Sequence, residues 1–353
     1  MSAPLTAALP VATAAAQERS EGVWHAAWRR FRTDRVGLVC LFVVLAFLVL
    51  IALSATGLVA ANWQKEVGVP NAPPTFLGPR AAEAQAVNAA PKGPNVDLSD
   101  IDPLAPRYAD WAAKAKEYQT TAEVKAETLP LGGDRLGRDV LSKAIKGTEI
   151  SVFVGVLSAL LATLLGTLLG ALAGFFGGKV GDFLEWLYNV FTAIPDILLI
   201  FAFAAVFGRG IGTVILILGL TGWTSLYRQV RAEFIKHRLR EYVRAAEAIG
   251  ASTGSRMFRH ILPNVSHVIL VRMSLMVVGF IKSEVILSYL GLGVPVDQVS
   301  WGTMLAEAQS ELILGLWWQL AAATAFMAVF VTAFSLMADA WRDALDPKLR
   351  GLE

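Results

Sequence analysis

The stretch EYVRAAEAIGASTGSRMFRHILPN, Glu241–Asn264, decides how this chain must be read. It is polar, basic and rich in alanine, and long apolar segments stand on either side of it. A Lys or Arg at the centre of a bilayer costs about 2.5–3.5 kcal/mol on insertion scales, so this stretch cannot lie in hydrocarbon. The chain interrupts itself with a helix that must stay in water.

The flanking segments set the class. The chain has 353 residues, 55% hydrophobic and only 17% charged, with a mean hydropathy of +0.53. A soluble domain carries about 25% charged residues. Residues 36–64, 150–178 and 312–338 each hold no Asp, Glu, Lys or Arg. Each is longer than the roughly 20 residues that cross a bilayer. Lipid offers backbone polar groups no partners, so spans are helices or closed barrels, and continuous apolar runs select helices. The expected fold is an all-α polytopic membrane protein with six transmembrane helices. The lipid bilayer is its surroundings, and a net charge of +2 gives no reason to expect nucleic acid. Cys40 is the single cysteine, and the four histidines form no ligand pattern, so neither a disulfide nor a metal site is expected.

The spans are placed at about 36–60, 150–174, 184–207, 211–227, 265–292 and 317–340. Basic residues set the orientation. Arg29, Arg30, Arg32 and Arg35 precede the first span, eight Lys and Arg lie in 228–263, and Arg342, Lys348 and Arg350 follow the sixth. With six spans these regions fall on one side, the cytoplasm, and both termini with them. Residues 1–35 are then a cytoplasmic tail without the pattern of a signal peptide, and 341–353 a second tail. Residues 61–149 form an enlarged external loop, Pro/Gly-rich at first and then Ala/Lys/Glu-rich, with a surface helix expected in RYADWAAKAKEYQTTAEVKAET. Residues 150–340 are the core with five spans, including the cytoplasmic loop 228–263.

Several residues stand out. Gly166, Gly170 and Gly174 share one face of the second span, and small residues there let helix backbones approach closely. Arg272, Lys282 and Glu284 are ionisable within the fifth span. Arg272 is expected near the cytoplasmic end, where it can snorkel. Glu284 and Ser288 share a face at i, i+4; Lys282 does not share it. Glu284 either borders a polar path or makes a structural hydrogen bond. Asp196 follows Pro195 in the third span, where a proline frees a carbonyl and can kink the helix, and the same two readings apply. No phosphate-binding G-x-x-x-x-G-K-[ST] loop and no catalytic constellation is present, and GRGIGT at 208–213 reads as a tight turn between spans. No catalytic residue, bound cofactor or metal is expected. Uphill movement of a solute would need an ion gradient or another subunit.

Arg228 to Gly250 reads as one helix, and Ala245, Ala246 and Ala248 leave it without the bulky apolar face of an interfacial helix. Small residues let a helix sit deep in a groove of another protein. Gly250 is a stop, ASTGS a break, and Leu262-Pro263 a restart before the fifth span. The spacing resembles the E-A-A…G…I-x-L-P loop of ATP-binding cassette importer permeases at Ala245, Ala246, Gly250, Leu262 and Pro263. Arg244 departs from that pattern where Glu is usual, and His260 where Ile is usual; Glu241 or Glu247 could supply the missing charge. LGGDRLGRDVLSKAIKGTEISV, WRRFRTDRVGL, EVILSYLGLGV and ADAWRDALDPKLR are similar to segments of dipeptide/oligopeptide permease C-type subunits.

The resemblance implies a type I importer permease. Its partners would be a second homologous permease subunit, two cytosolic ATPases that hold ATP and Mg, and an external solute-binding protein. The loop would be a coupling helix driving alternating access, with an Ala246→Arg or Gly250→Pro change expected to abolish uptake. Peptide is the expected solute; a nickel complex, glutathione or a peptide antibiotic are alternatives within the same machinery. An ion-coupled secondary transporter using Asp196 and Glu284, or a scaffold without transport, leaves the Ala-rich bracket unexplained.

Overall fold

The computed structural model describes residues 23–79, 102–117, 125–295 and 297–345. The tails at 1–22 and 346–353, and residues 80–101, 118–124 and 296, lie outside the described residues. Among those described, regular structure is helical, with only isolated β-bridges beside it. In chain order the helices are α1 (Val23–Phe31), α2 (Arg35–Ala55), α3 (Tyr108–Glu117), α4 (Val140–Phe176), α5 (Gly178–Thr192), α6 (Asp196–Phe207), α7 (Ile211–Gly222), α8 (Thr224–Arg238), α9 (Glu241–Ala248), a π-helical turn (Ser255–Ile261), α10 (Leu262–Tyr289), α11 (Trp301–Ile313) and α12 (Trp318–Leu345).

Four continuous helices are long and apolar enough to cross a membrane: Arg35–Ala55, Val140–Phe176, Ser255–Tyr289 and Trp318–Leu345. The count rises to six if each of two bent pairs is one span. These pairs are the expected third and fourth spans, and neither is straight. α5 and α6 meet at 86°. Pro195 has no N–H to offer and itself adopts an extended conformation, with φ −55° and ψ 131°, so the helix stops and restarts at Asp196. α7 and α8 meet at 41°. Gly219 and Gly222 loosen this stretch, and the Thr221 hydroxyl donates back to Ile217 O at 2.8 Å, a bond that bends helices.

α4 is the central element and packs against α2, α5, α7, α8, α10, α11 and α12. Its Gly166, Gly170 and Gly174 lie against α8. A Cβ added to them would stand 2.7, 2.7 and 2.5 Å from the carbonyl oxygens of Trp223, Tyr227 and Arg231. No side chain fits there, so the two backbones touch directly. In lipid, where apolar side chains gain nothing by leaving the tails, such contact is what holds helices together.

The helix ends sort into two groups. At one end α1 lies on the end of α12, with Phe31 edge-on to Trp341 at 5.4 Å, and Arg238 caps Phe175 O with a 2.5 Å bond. At the other end, segments 63–74 and 126–139 pair through isolated bridges. The Trp318 indole donates to Gly133 O at 2.7 Å, seating them on α12. The surface helix expected in the loop is present as α3, which packs on the short 3₁₀ turn before it.

A buried charge cluster fastens this second end. Lys143 at the start of α4 is fully buried. Its ammonium donates to Asp134 Oδ2 at 2.8 Å, to Gln319 Oε1 at 3.3 Å and to Glu307 of α11. Arg138 Nε donates to the same Asp134 oxygen at 2.6 Å. Burial raises the Asp134 carboxyl, but Lys143 and Arg138 outweigh burial and hold it below its ordinary value. Burial pushes Glu311 the other way, up to about 7, although it accepts the Arg135 N–H. α11 and this cluster lie between the expected spans, where nothing in the sequence marks a charged residue as buried.

Two outcomes follow from this packing. Gly170→Leu has no room against Tyr227 O and is expected to destabilise the chain by about 1–3 kcal/mol, read as a lower thermal midpoint in detergent. The Glu311 folded-state value lies above its unfolded one, so its contribution is full below the ordinary carboxylate range and is lost as pH rises through about 7. Thermal midpoints are therefore expected to fall across that window, and Glu311→Gln to remove most of the fall; equal pH profiles for the two proteins would contradict this assignment. Asp134 acts with the opposite sign, its contribution being lost only as pH falls through its lowered value.

Candidate functional site

The segment expected to be one helix from Arg228 to Gly250 is two. α8 ends at Arg238, Leu239 and Arg240 turn the chain, and α9 begins at Glu241. Arg240 N–H closes the turn onto His237 O at 3.0 Å. α9 then stops as the sequence implies. Gly250 has φ +86°, a conformation that glycine adopts without cost. Gly250 N–H reaches Glu247 O and Ala251 N–H reaches Ala246 O, each at 2.9 Å, the paired bonds of a Schellman stop.

There is no restart at Leu262-Pro263. The π-helical turn runs straight into α10, so Pro263 lies within one continuous helix, its missing N–H falling where the wider π-helical turn gives way to α10. The Asn264 side-chain amide donates to His260 O at 2.7 Å, serving a carbonyl in the turn behind the proline. Chain direction is thus carried from α9 through a stiff, continuous helix into the fifth span.

α9 presents two faces. Val243 and Ala246 are buried against the π-helical turn and α8. Glu241, Arg244, Ala245, Glu247 and Ala248 are exposed, and so is Ile249, at 85%. Ala246 therefore supports α9 from beneath, and Ala246→Arg would break this bracket before it touched any partner. Glu247 pairs with Arg256 across the bracket at 2.5 Å. The Arg256 guanidinium lies 5.5 Å from the Phe175 ring centroid, above the end of α4. Arg238 holds Phe175 O at the same place. Arg244 has no ion-pair partner among the described residues.

The residues singled out in the spans separate. Glu284 is fully buried; the Ser288 hydroxyl donates to its Oε1 at 2.7 Å and accepts the Val294 N–H at 3.1 Å. It ties α10 to the turn leading into α11. Lys282, two residues away, is exposed on the other side of the helix. Asp196 is exposed at the first position of α6 and lines a cavity of about 260 Å³ with Thr221, Ser225, Arg272, Gly279 and Ser283. Arg272, expected to snorkel at the cytoplasmic end, lines this cavity and also a neighbouring one of about 340 Å³ with Gln229, His267 and Arg342. That Asp196 and Arg272 share a wall has no signal in the sequence, because it depends on how α6, α8 and α10 pack around the two breaks. Among the described residues no group of three or more His, Cys, Asp or Glu could hold a metal ion.

Residues 166–351 match the family described as binding-protein-dependent transport system inner membrane component. This match covers more than half the chain and spans both bent pairs, the bracket and α10–α12. The chain belongs to that family. Residues 22–74 match the N-terminal TM domain of oligopeptide transport permease C. The chain is 37% identical to the oligopeptide transport system permease protein OppC of Bacillus subtilis over 66% of this chain and 78% of that relative. It is 39% identical to the OppC of Escherichia coli K12 over 62% and 72% of the two chains. Identity to the dipeptide transport system permease protein DppC of Lactococcus lactis is 28%, over 91% and 90%. The protein is a multi-pass inner-membrane permease component of an ATP-binding cassette transport system. As a permease component it carries out no covalent chemistry and binds no cofactor, and it works with partner subunits.

Within the permease, the Schellman stop gives a sharp expectation. Gly250→Ala meets no steric obstacle, since nothing lies within 4 Å of an added Cβ, yet it must hold a positive φ. The cost is expected to be about 1–2 kcal/mol, from backbone conformation alone. Gly250→Asn, which tolerates that conformation better, is expected to recover part of it in the same thermal measurement.

Proposed function

We propose that this permease forms half of the path by which an ATP-binding cassette importer carries peptides into the cell, and that α9 is its coupling helix. The observation that carries the coupling assignment is the shape of the bracket. α9 exposes Ala245, Ala248 and Ile249 on one face and is braced on the other by Val243, Ala246 and the Glu247–Arg256 pair. A small-residue ridge with one apolar knob suits a groove in a partner, and the brace transmits force to α10 and α4 without bending. Leu262 and Pro263 lie where the bracket joins α10.

The relatives named for oligopeptide and dipeptide transport support peptide as the solute. In this reading the end bearing α1, α9 and the end of α12 faces the cytoplasm, with both termini. The end bearing 61–149 and α11 faces outside and receives an external solute-binding protein. A second homologous permease completes the path, and two ATPases that hold ATP and Mg dock beneath, one on each coupling helix. ATP binding closes the ATPase pair, the coupling helices follow, and the spans switch between inward- and outward-facing states. Solute can bias that equilibrium only through its differential affinity for the two states.

Ala245→Arg and Ile249→Asp are expected to abolish ATP-driven peptide uptake while leaving membrane insertion intact. Uptake assayed in vesicles with and without the ATPases checks this. Normal uptake by both variants would sink the coupling assignment, and gradient-driven uptake by this chain alone would favour the ion-coupled alternative.

A further inference from the structure

Both breaks in the spans open onto one place. The α5–α6 break puts Asp196 at the first position of α6, and the α7–α8 break puts Thr221, Thr224 and Ser225 across from it, with α10 closing the cavity through Arg272, Gly279 and Ser283. Irregular backbone at membrane depth is tolerated only where it is buried in protein or lines a wet cavity. α6 and α7 each have 12 residues, about 18 Å of helix, between their breaks and the 208–210 turn, so the cavity lies well inside the spans and away from that turn.

Its charges are unspent. Arg272 Nε is buried without a hydrogen-bond partner, and no acid pairs with Arg272 among the described residues. Asp196 likewise has no ion-pair or side-chain hydrogen-bond partner among them. An acid and a base on the walls of one cavity, not joined to each other, are costly at this depth unless something else meets them. The hydroxyls add direction. Thr221 donates to Ile217 O, Ser225 to Gly222 O and Ser283 to Gly279 O, each within its own chain segment. Their protons are used, so they offer lone pairs to the cavity and favour N–H donors.

We propose that this cavity is a subsite for the charged termini of a short peptide, with Asp196 meeting the α-ammonium group and Arg272 the α-carboxylate. The inference rests on the peptide reading above. A compact cavity of about 260 Å³ is roughly 8 Å across, enough for the ~7 Å that an extended dipeptide spans at 3.3–3.6 Å per residue. The Thr221, Ser225 and Ser283 oxygens accept from peptide N–H groups. Arg272, shared with the adjacent cavity, hands the carboxylate end onward toward His267 and Arg342.

The test is direct binding to the assembled transporter in lipid nanodiscs without solute-binding protein, using Ala-Ala, N-acetyl-Ala-Ala and Ala-Ala amide as probes. Blocking either terminus is expected to weaken binding at least tenfold. Asp196→Asn should erase the preference for the free amino group and leave the other. Arg272→Gln should erase the preference for the free carboxylate, and Arg272→Lys should restore much of it, which separates lost charge from lost fold. Preferences unchanged in both variants overturn the subsite. Wild-type peptide uptake that persists at full rate in both variants also removes it while the peptide reading stands; a wild-type transporter that takes up no peptide removes both.

Discussion

The backbone contact between α4 and α8 is the constraint on which the rest depends. Three glycines one helical turn apart let the carbonyls of Trp223, Tyr227 and Arg231 approach α4 where no Cβ could stand. Water drives no such association inside lipid, so area burial cannot hold the two helices; close packing must. Once α8 is laid along α4, Arg238 at its end reaches Phe175 O, and Arg256 reaches the Phe175 ring. The bracket that carries α9 is hung from that point.

The same contact sets where the fourth span must bend. α8 follows the glycine face of α4 from Trp223 onward, whereas α7 packs on α4 through Gly219, which sits against Leu161. The chain changes direction between the two at Trp223. The α5–α6 break has a separate, local cause in Pro195. The two unrelated breaks border one cavity, whose wall mixes apolar side chains with Asp196, Arg272 and several hydroxyls. Asp196 and Arg272 both line that space.

The far end is held differently. Lys143, Asp134, Arg138 and Glu307 form a buried ionic cluster, and breaking such a cluster by removing one member leaves an uncompensated charge. It joins the start of α4 to α11 and to the segment before α4. Glu284 adds a second tie, through Ser288, to the turn that leads into α11. The permease therefore has one end stiffened by buried charge and the other by backbone contact and a braced helix, with a kinked and polar middle between them.

Much of this was legible in the amino-acid order. Charge-free runs showed the first, second and sixth spans, because unpaired charge is costly in lipid whatever the fold. The glycine spacing in the second span, the stop at Gly250 and the family pattern at Ala245, Ala246, Leu262 and Pro263 are local, and local chemistry is written locally. What tertiary structure alone decided is which neighbour each residue meets. It turned Ala246 inward and Ile249 outward, split the helix at Leu239, made Pro263 part of a continuous helix, and placed Asp196 and Arg272 on one cavity. Those outcomes depend on contacts between residues far apart in the chain, and no spacing rule within one helix encodes them.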